Sequence, residues 1–272
     1  MLPSPSEPVP QAGTMLERPP LVHTDAIFHS LMDELHPELA HIPLPFIQHQ
    51  IAECRVPMIR GLASVDDAAL QQTSGYQGTA IVRLLPDRDL SEDEPGLQPT
   101  HLLAISTRSA PLDPPRFVAI HGMVMAMYCS APILNSKAAA DGPDPDTVVL
   151  PVTTLVLPSV PAFYALRAYM YAPHPLSLLQ ALFPGALSWG GLVSFDNLGS
   201  QLFDSIQSRA NKGKEVIAKL QNYALRVRDV WLCAWTLAVY RTELWDALDL
   251  ASAVVVHALG LAVARQNNIK ST

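Results

Sequence analysis

The stretch whose reading decides the fold is VVLPVTTLVLPSVPAFYALRAYMY, residues 148–171. Its first half is short and β-branched and is stopped by Pro158, so it reads as a strand. Its second half changes period. Ser159 is placed to cap a helix, and Pro161 suits the first turn, where its missing N–H costs nothing. Phe163, Leu166 and Met170 then recur at helical spacing with Tyr169 beside them. A strand feeding a capped helix implies an α+β domain. The helix carries aromatics in quantity but no group that could attack, protonate or chelate.

The same pattern extends outward. Upstream, GTAIVRLLP (78–86) and HLLAIST (101–107) read as strands bounded by Gly and Pro. They are expected to form a hairpin around the acidic loop DRDLSEDEPGLQPT, residues 87–100. A brief strand at Phe117–Ile120 leads into a helix from His121 to about Cys129, and a polar loop follows. Downstream, PHPLSLLQALFPG is a proline-started helix ending at Pro184-Gly185. Three helices come next, over 197–211, 213–240 and 242–266, the last with Thr242 as its cap and Glu243 beside it.

The N-terminal third is less regular. Residues 1–20 are proline-rich and read as a disordered tail with no apolar core of a secretory signal. TDAIFHSLMDELHPEL has the spacing of a helix capped by Thr24. PLPFIQHQIAECRVP is a second short element. SVDDAALQQT carries a capping pattern, Ser64 followed by Asp67. The organisation expected is a tail (1–20), short helices (21–77), an α+β core (78–184) and a helical C-terminal extension (197–266). A mostly α-helical fold is the alternative, because short aliphatic runs do not separate strand from buried helix.

Composition narrows the function. Of 272 residues, 49% are apolar, enough for a core, and only 16% are charged. So few charges imply an apolar surface or one covered by partners. A net charge of −7 makes direct nucleic-acid binding a poor expectation. The basic cluster Arg209, Lys212, Lys214, Lys219, Arg226 and Arg228 reads first as a solvated helix face. Three scattered cysteines, Cys54, Cys129 and Cys233, without C-x-x-C spacing, indicate a reducing, intracellular compartment. The apolar run LDLASAVVVHALGLAVA contains Asp249 and His257, costly in a bilayer, and is read as a buried helix with no membrane role.

No catalytic constellation stands out, and no catalytic, cofactor-binding or metal residue is assigned. There is no G-x-S-x-G, Walker loop, G-x-G-x-x-G or H-E-x-x-H, and WGG at 189–191 reads as a turn. His23, His29, His36, His41 and His49 straddle prolines at uneven spacing. They and the helical pair Asp246/Asp249 define the rival reading, a small metal-dependent hydrolase. His121 and Cys129 lie two helical turns apart, too far for a base–nucleophile pair. His257 reads as a core histidine. Trp231 and Trp235 share a helix face and read as a core seam with Trp245 close by. The candidate partner contacts are Phe163, Tyr169, Trp235 and Trp245, each also a core candidate.

Two resemblances follow. Strand, FVAIHGMVMAMYCSAPIL, loop and VTTLVLPSVPAFYALRAYMY resemble a BTB/POZ domain, with His121 and Ser130 in its strand–helix unit and Phe163, Leu166, Tyr169 and Tyr171 in its later aromatic motif. The chain departs from that pattern in its acidic insertion and in the proline-rich link before Phe117. At closer range, LPVTTLVLPSVPAFYALRAYMYAPHPLSLLQALFP with VRDVWLCAWTLAVYRTELWDALDLASAVVVHALGLA resembles the fungal clampless-type proteins. The block with Trp231, Leu237, Glu243, Leu244, Trp245, Leu248, Asp249 and Ala251 carries most of the likeness. This resemblance implies a non-enzymatic, cofactor-free regulator of clamp-cell formation and dikaryotic sexual development, downstream of mating-type transcription factors. It would act through other proteins, transcription factors among them, or as a homodimer, in the nucleus.

Overall fold

The computed structural model describes residues 28, 33, 39, 41–72, 78–85, 97–108, 110, 112–130, 134, 139–187, 197–209 and 213–270. They fall into two compact units, each assembled from separated stretches of chain. The first unit draws on 1–105, 116–155 and 235–240, the second on 106–115, 156–234 and 241–272. Helices and strands are both present, as the reading of 148–171 requires. The tail 1–20, the turn 189–191, and most of the helix expected from Thr24 and of the acidic loop lie outside the described residues.

In the first unit, helices α1 (Leu44–Glu53), α2 (Arg55–Ala63) and α3 (Asp67–Leu70) precede the strands. The cap of α3 is Asp66, whose carboxylate accepts from Ala68 N at 3.1 Å and Ala69 N at 3.0 Å. Ser64, the expected cap, closes α2 instead: its Oγ donates to Gly61 O at 2.8 Å. The serine stands three residues before α3 begins, too early to reach its amides.

The sheet comprises β1 (Thr79–Arg83), β2 (His101–Thr107), β3 (Arg116–Ile120), β4 (Ala140–Asp141) and β5 (Thr147–Leu157), in the order β1-β5-β2-β3, with β4 also on β5. The hairpin expected between β1 and β2 does not form, because β5 lies between them. Strand β1 runs antiparallel to β5, Ile81 facing Val149, and β2 runs antiparallel to β3, Leu103 facing Val118. Burial differs along the order. Strand β1 alternates, with Ala80 and Val82 inside and Ile81 and Arg83 outside, as suits an edge. Strand β2 is buried at five successive positions, as suits a strand covered on both faces. The eleven-residue β5 is long enough to serve both.

One sheet face builds the core. Ala80, Val82, Leu102, Ala104, Phe117, Ala119, Val148, Leu150 and Val152 pack with Val65 and Leu70 from the α2–α3 region. The edge of β3 meets a side chain acting as a strand surrogate: Gln71 Oε1 accepts from Phe117 N at 3.1 Å, and Gln71 Nε2 donates to Phe117 O at 2.8 Å. Helix α4 (Gly122–Tyr128) follows β3 directly.

Residues 235–240 return to complete this unit. Val239 bridges Cys129, Tyr240 N donates to Tyr128 O at 3.0 Å, and Tyr240 Oη donates to Ala126 O at 3.1 Å. Ala238 holds a left-handed backbone, φ 49°, unusual for a residue with a Cβ. Its carbonyl accepts from both Ser130 N (3.1 Å) and Ser130 Oγ (3.0 Å), which fix it there.

The second unit is helical: α5 (Val160–Tyr171), α6 (Pro175–Leu182), α7 (Leu198–Arg209), α8 (Gly213–Thr236, up to Ala234) and α9 (Thr242–Lys270). Ser159 caps α5 as expected, accepting from Ala162 N at 3.3 Å. His174 caps α6 through Nδ1, which accepts from Leu176 N at 3.2 Å. Gly185 takes a left-handed φ of 65° just beyond α6, the stop that Pro184-Gly185 predicted. Helix α9 packs on α7 and α6. The approach to α7 is close, since a Cβ on Gly199 would stand 2.6 Å from His257 Nδ1. Phe183 meets Tyr223 edge-on at 5.2 Å, and Trp231 meets Trp245 at 5.5 Å.

Candidate functional site

The sequence offers four aromatics as partner contacts. Phe163, Tyr169 and Trp245 are 0%, 1% and 0% exposed, and Trp235 is half-buried. The first three therefore pack the interior of the helical unit and present no surface. Trp231 and Trp245 form the expected core seam, held edge-on across α8 and α9.

The titratable groups are similarly structural. His101 and His121 are buried at the corner where β2, β3 and α4 meet. Thr100 organises that corner: its N donates to Ile120 O, its Oγ1 accepts from Gly122 N at 2.8 Å, and Oγ1 lies 2.9 Å from His101 Nδ1. His121 Nε2 lies 3.0 Å from Leu97 O, and because a carbonyl only accepts, Nε2 carries the proton. Leu97 N donates in turn to Pro57 O. A Cβ on Gly61 would collide with the Leu97 carbonyl, so α2 touches this strap through a glycine.

Neither buried thiol suits nucleophilic work. Burial pushes the Cys129 thiol far up, and Cys233 is pushed up to about 12, chiefly by burial, with backbone hydrogen bonding at Ser159 opposing and Asp229 adding. The nucleophilic species is the thiolate, which both environments disfavour. His23, His29 and His36 lie outside the described residues. His41 is exposed, and His49 pairs with Glu53 at 3.3 Å. Asp246 and Asp249 lie exposed on α9, and His257, expected in the core, is exposed too. Among the described residues no three His, Cys, Asp or Glu side chains gather as a metal site would require.

Three members of the basic cluster are locally engaged. Lys219 pairs with Glu215 at 2.9 Å, Arg228 with Asp229 at 3.0 Å, and Arg226 lies over the Tyr223 ring. Lys212 falls outside the described residues.

What remains is apolar surface. On α1 and α2, Phe46, Val56 and Ile59 are 55%, 54% and 44% exposed. On α9, Val256 and Val263 are 68% and 46% exposed. Helix α9 is the one helix among the described residues long and apolar enough to cross a membrane, and only 39% of its most apolar window is buried. The run reads from sequence as a buried helix; its outer face is instead exposed. The missed signal is the spacing: Ala253, Val256, Gly260, Val263 and Asn267 recur every three or four residues, a second stripe beside the buried one.

Comparison with known proteins gives a direct result. The model of the Clampless protein 1 N-terminal domain matches residues 20–158, and that of the Clampless protein 1 C-terminal domain matches residues 177–272. Only 159–176 lies between them, which holds the whole of α5. No curated protein and no solved structure matches the chain.

Proposed function

Because the chain belongs to the Clampless protein 1 family, we propose that it regulates clamp-cell formation during dikaryotic growth and does so through contacts with other proteins, without catalysis. The observation that carries this reading is the pair of family matches in sequence order, reaching from residue 20 to residue 272. The apolar faces on α1–α2 and α9 support a contact mechanism, since exposed apolar patches mark interaction surfaces. The reading places the chain in the nucleus beside transcription factors. A BTB/POZ-like core belongs to the same proposal; its support is the β3-to-α4 and β5-to-α5 succession with Ser159 at the second junction.

The test is genetic. Deletion of the gene should leave dikaryotic hyphae without clamp cells, and the intact coding sequence should restore them. Normal clamps in the deletion strain would refute the role. Affinity capture of the tagged chain from restored hyphae, with mass spectrometry, tests the contact mechanism; recovery of no protein from folded, functional bait would refute that part alone. A fluorescent fusion that restores clamps while excluded from nuclei would refute the nuclear placement.

A further inference from the structure

We propose that the outer face of α9 is a self-association seam that joins two copies of this chain antiparallel. The inference rests on the reading of the chain as one that works through protein contacts, and it names one such partner. Asp249, Ala253, Val256, Gly260, Val263 and Asn267 lie on one side of α9, and every one with a side chain described is exposed. Between Asp249 and Arg265 the helix has no Asp, Glu, Lys or Arg. Water thus faces an uncharged, largely apolar strip about 21 Å long at 1.5 Å per residue, with Asp249 and Asn267 at its two ends.

The order of residues along the strip selects the occupant. A two-fold axis at the level of residue 258 sets Val256 against Gly260, Ala253 against Val263 and Asp249 against Asn267. Each valine meets a smaller residue, and each copy presents the same face, as a two-fold dimer demands. A Cβ on Gly260 would meet nothing within 4 Å, so that position is an open notch able to take a valine. Small residues let helices approach closely.

Charge agrees with the same arrangement. Glu243, Asp246 and Asp249 occupy the first turns of α9, and Lys270 ends it. Antiparallel pairing brings the acidic end of one helix level with the basic end of the other and opposes the two helix dipoles. Parallel pairing would set acid on acid, valine on valine and the Gly260 notches on each other.

The experiment uses the full chain. Light scattering after size exclusion at tens of micromolar should give twice the 29.5 kDa chain mass. Val256→Glu should give the single mass with an unchanged circular dichroism spectrum and melting temperature, because that side chain is 68% exposed. Ala253→Cys and Val263→Cys, each in a Cys54→Ser background, should form a disulfide-linked dimer when mixed and oxidised. Either alone should not, since its two copies would stand about 15 Å apart along the axis. The seam is overturned by a monomeric wild-type chain, by a dimer that survives Val256→Glu, or by cross-linking of either cysteine variant alone. Co-sedimentation of a monomeric chain with phosphatidylcholine vesicles would assign the face to lipid and overturn it as well. A monomer that restores clamp cells refutes the seam alone; a dimer that fails to restore them refutes the regulatory reading alone.

Discussion

Replacing Trp245 by alanine separates a core role from a contact role for the aromatics near the C-terminus. The indole is 0% exposed and stands edge-on to Trp231 with ring centres 5.5 Å apart. Truncating a buried tryptophan to alanine costs about 3–5 kcal/mol through lost transfer energy and the cavity left behind. Loss of the aromatic pair adds about 0.5–1.5 kcal/mol. The expected destabilisation, about 4–6 kcal/mol, is a large part of the whole stability of an ordinary domain, about 5–15 kcal/mol. Urea titration followed by far-ultraviolet circular dichroism should show the helical signal lost at much lower denaturant. Trp245→Phe, which keeps a ring in the site, should recover more than half of the loss. A destabilisation below about 1 kcal/mol, together with loss of a captured partner, would refute the placement of Trp245 in the core and return it to the contact surface.

Other outcomes follow from single features. Gln71→Ala removes both hydrogen bonds to Phe117 and should cost about 1–3 kcal/mol, with greater aggregation on concentration as the β3 edge is uncovered; unchanged stability and solubility would contradict the strand-surrogate role. Gly61→Ala sets a Cβ against the Leu97 carbonyl and should lower the melting temperature by several degrees, whereas an unchanged melt would show the strap is not held there. Native-state alkylation at pH 8 should label Cys54 well ahead of Cys129 and Cys233, read by peptide mass spectrometry. Both buried thiols have folded pKa values raised above the ordinary 9.0, so the folded chain holds protons that the unfolded chain releases. Their stabilising contribution is complete below pH 9.0 and is lost as pH rises through the window up to about 12 set by Cys233. The fall should approach about 1.4 kcal/mol per pH unit per thiol, and Cys233→Ala should flatten it.

Most local structure was legible because local chemistry fixes it. Ser159 with Pro161, Pro184-Gly185 and the alternation in β1 act within a few residues, and the last three helices begin and end close to where their spacing put them. Pairing was not legible. Proximity in sequence favoured β1 beside β2, but β5, far along the chain, satisfies both, and no local signal reports that. Ser64 and Asp66 both suit a cap, and two residues of register decided between them. Phe163, Tyr169 and Trp245 are interior rather than surface residues for a general reason. Tryptophan and phenylalanine are equally at home in cores and hot spots, so their spacing identifies a face without saying what covers it. The outer stripe of α9 was hidden because small residues and valine read as core filler.

The return of residues 235–240 to the first unit bears on how the chain folds as it is made. The last strand residue of that unit is 155, yet Tyr240, which seals Ala126 and Tyr128, comes 240 − 155 = 85 residues later. At about 5–20 residues per second, synthesis needs roughly 4–17 seconds to supply it. During that interval the carbonyls of Ala126 and Tyr128 and the thiol of Cys129 lack their final cover. The nascent sheet must therefore wait, open at one corner, for a peg from the far end of the chain. A chain stopped before residue 235 would leave the ribosome with that corner permanently unsealed, and such a fragment is a natural client for chaperones and proteases rather than an independent module.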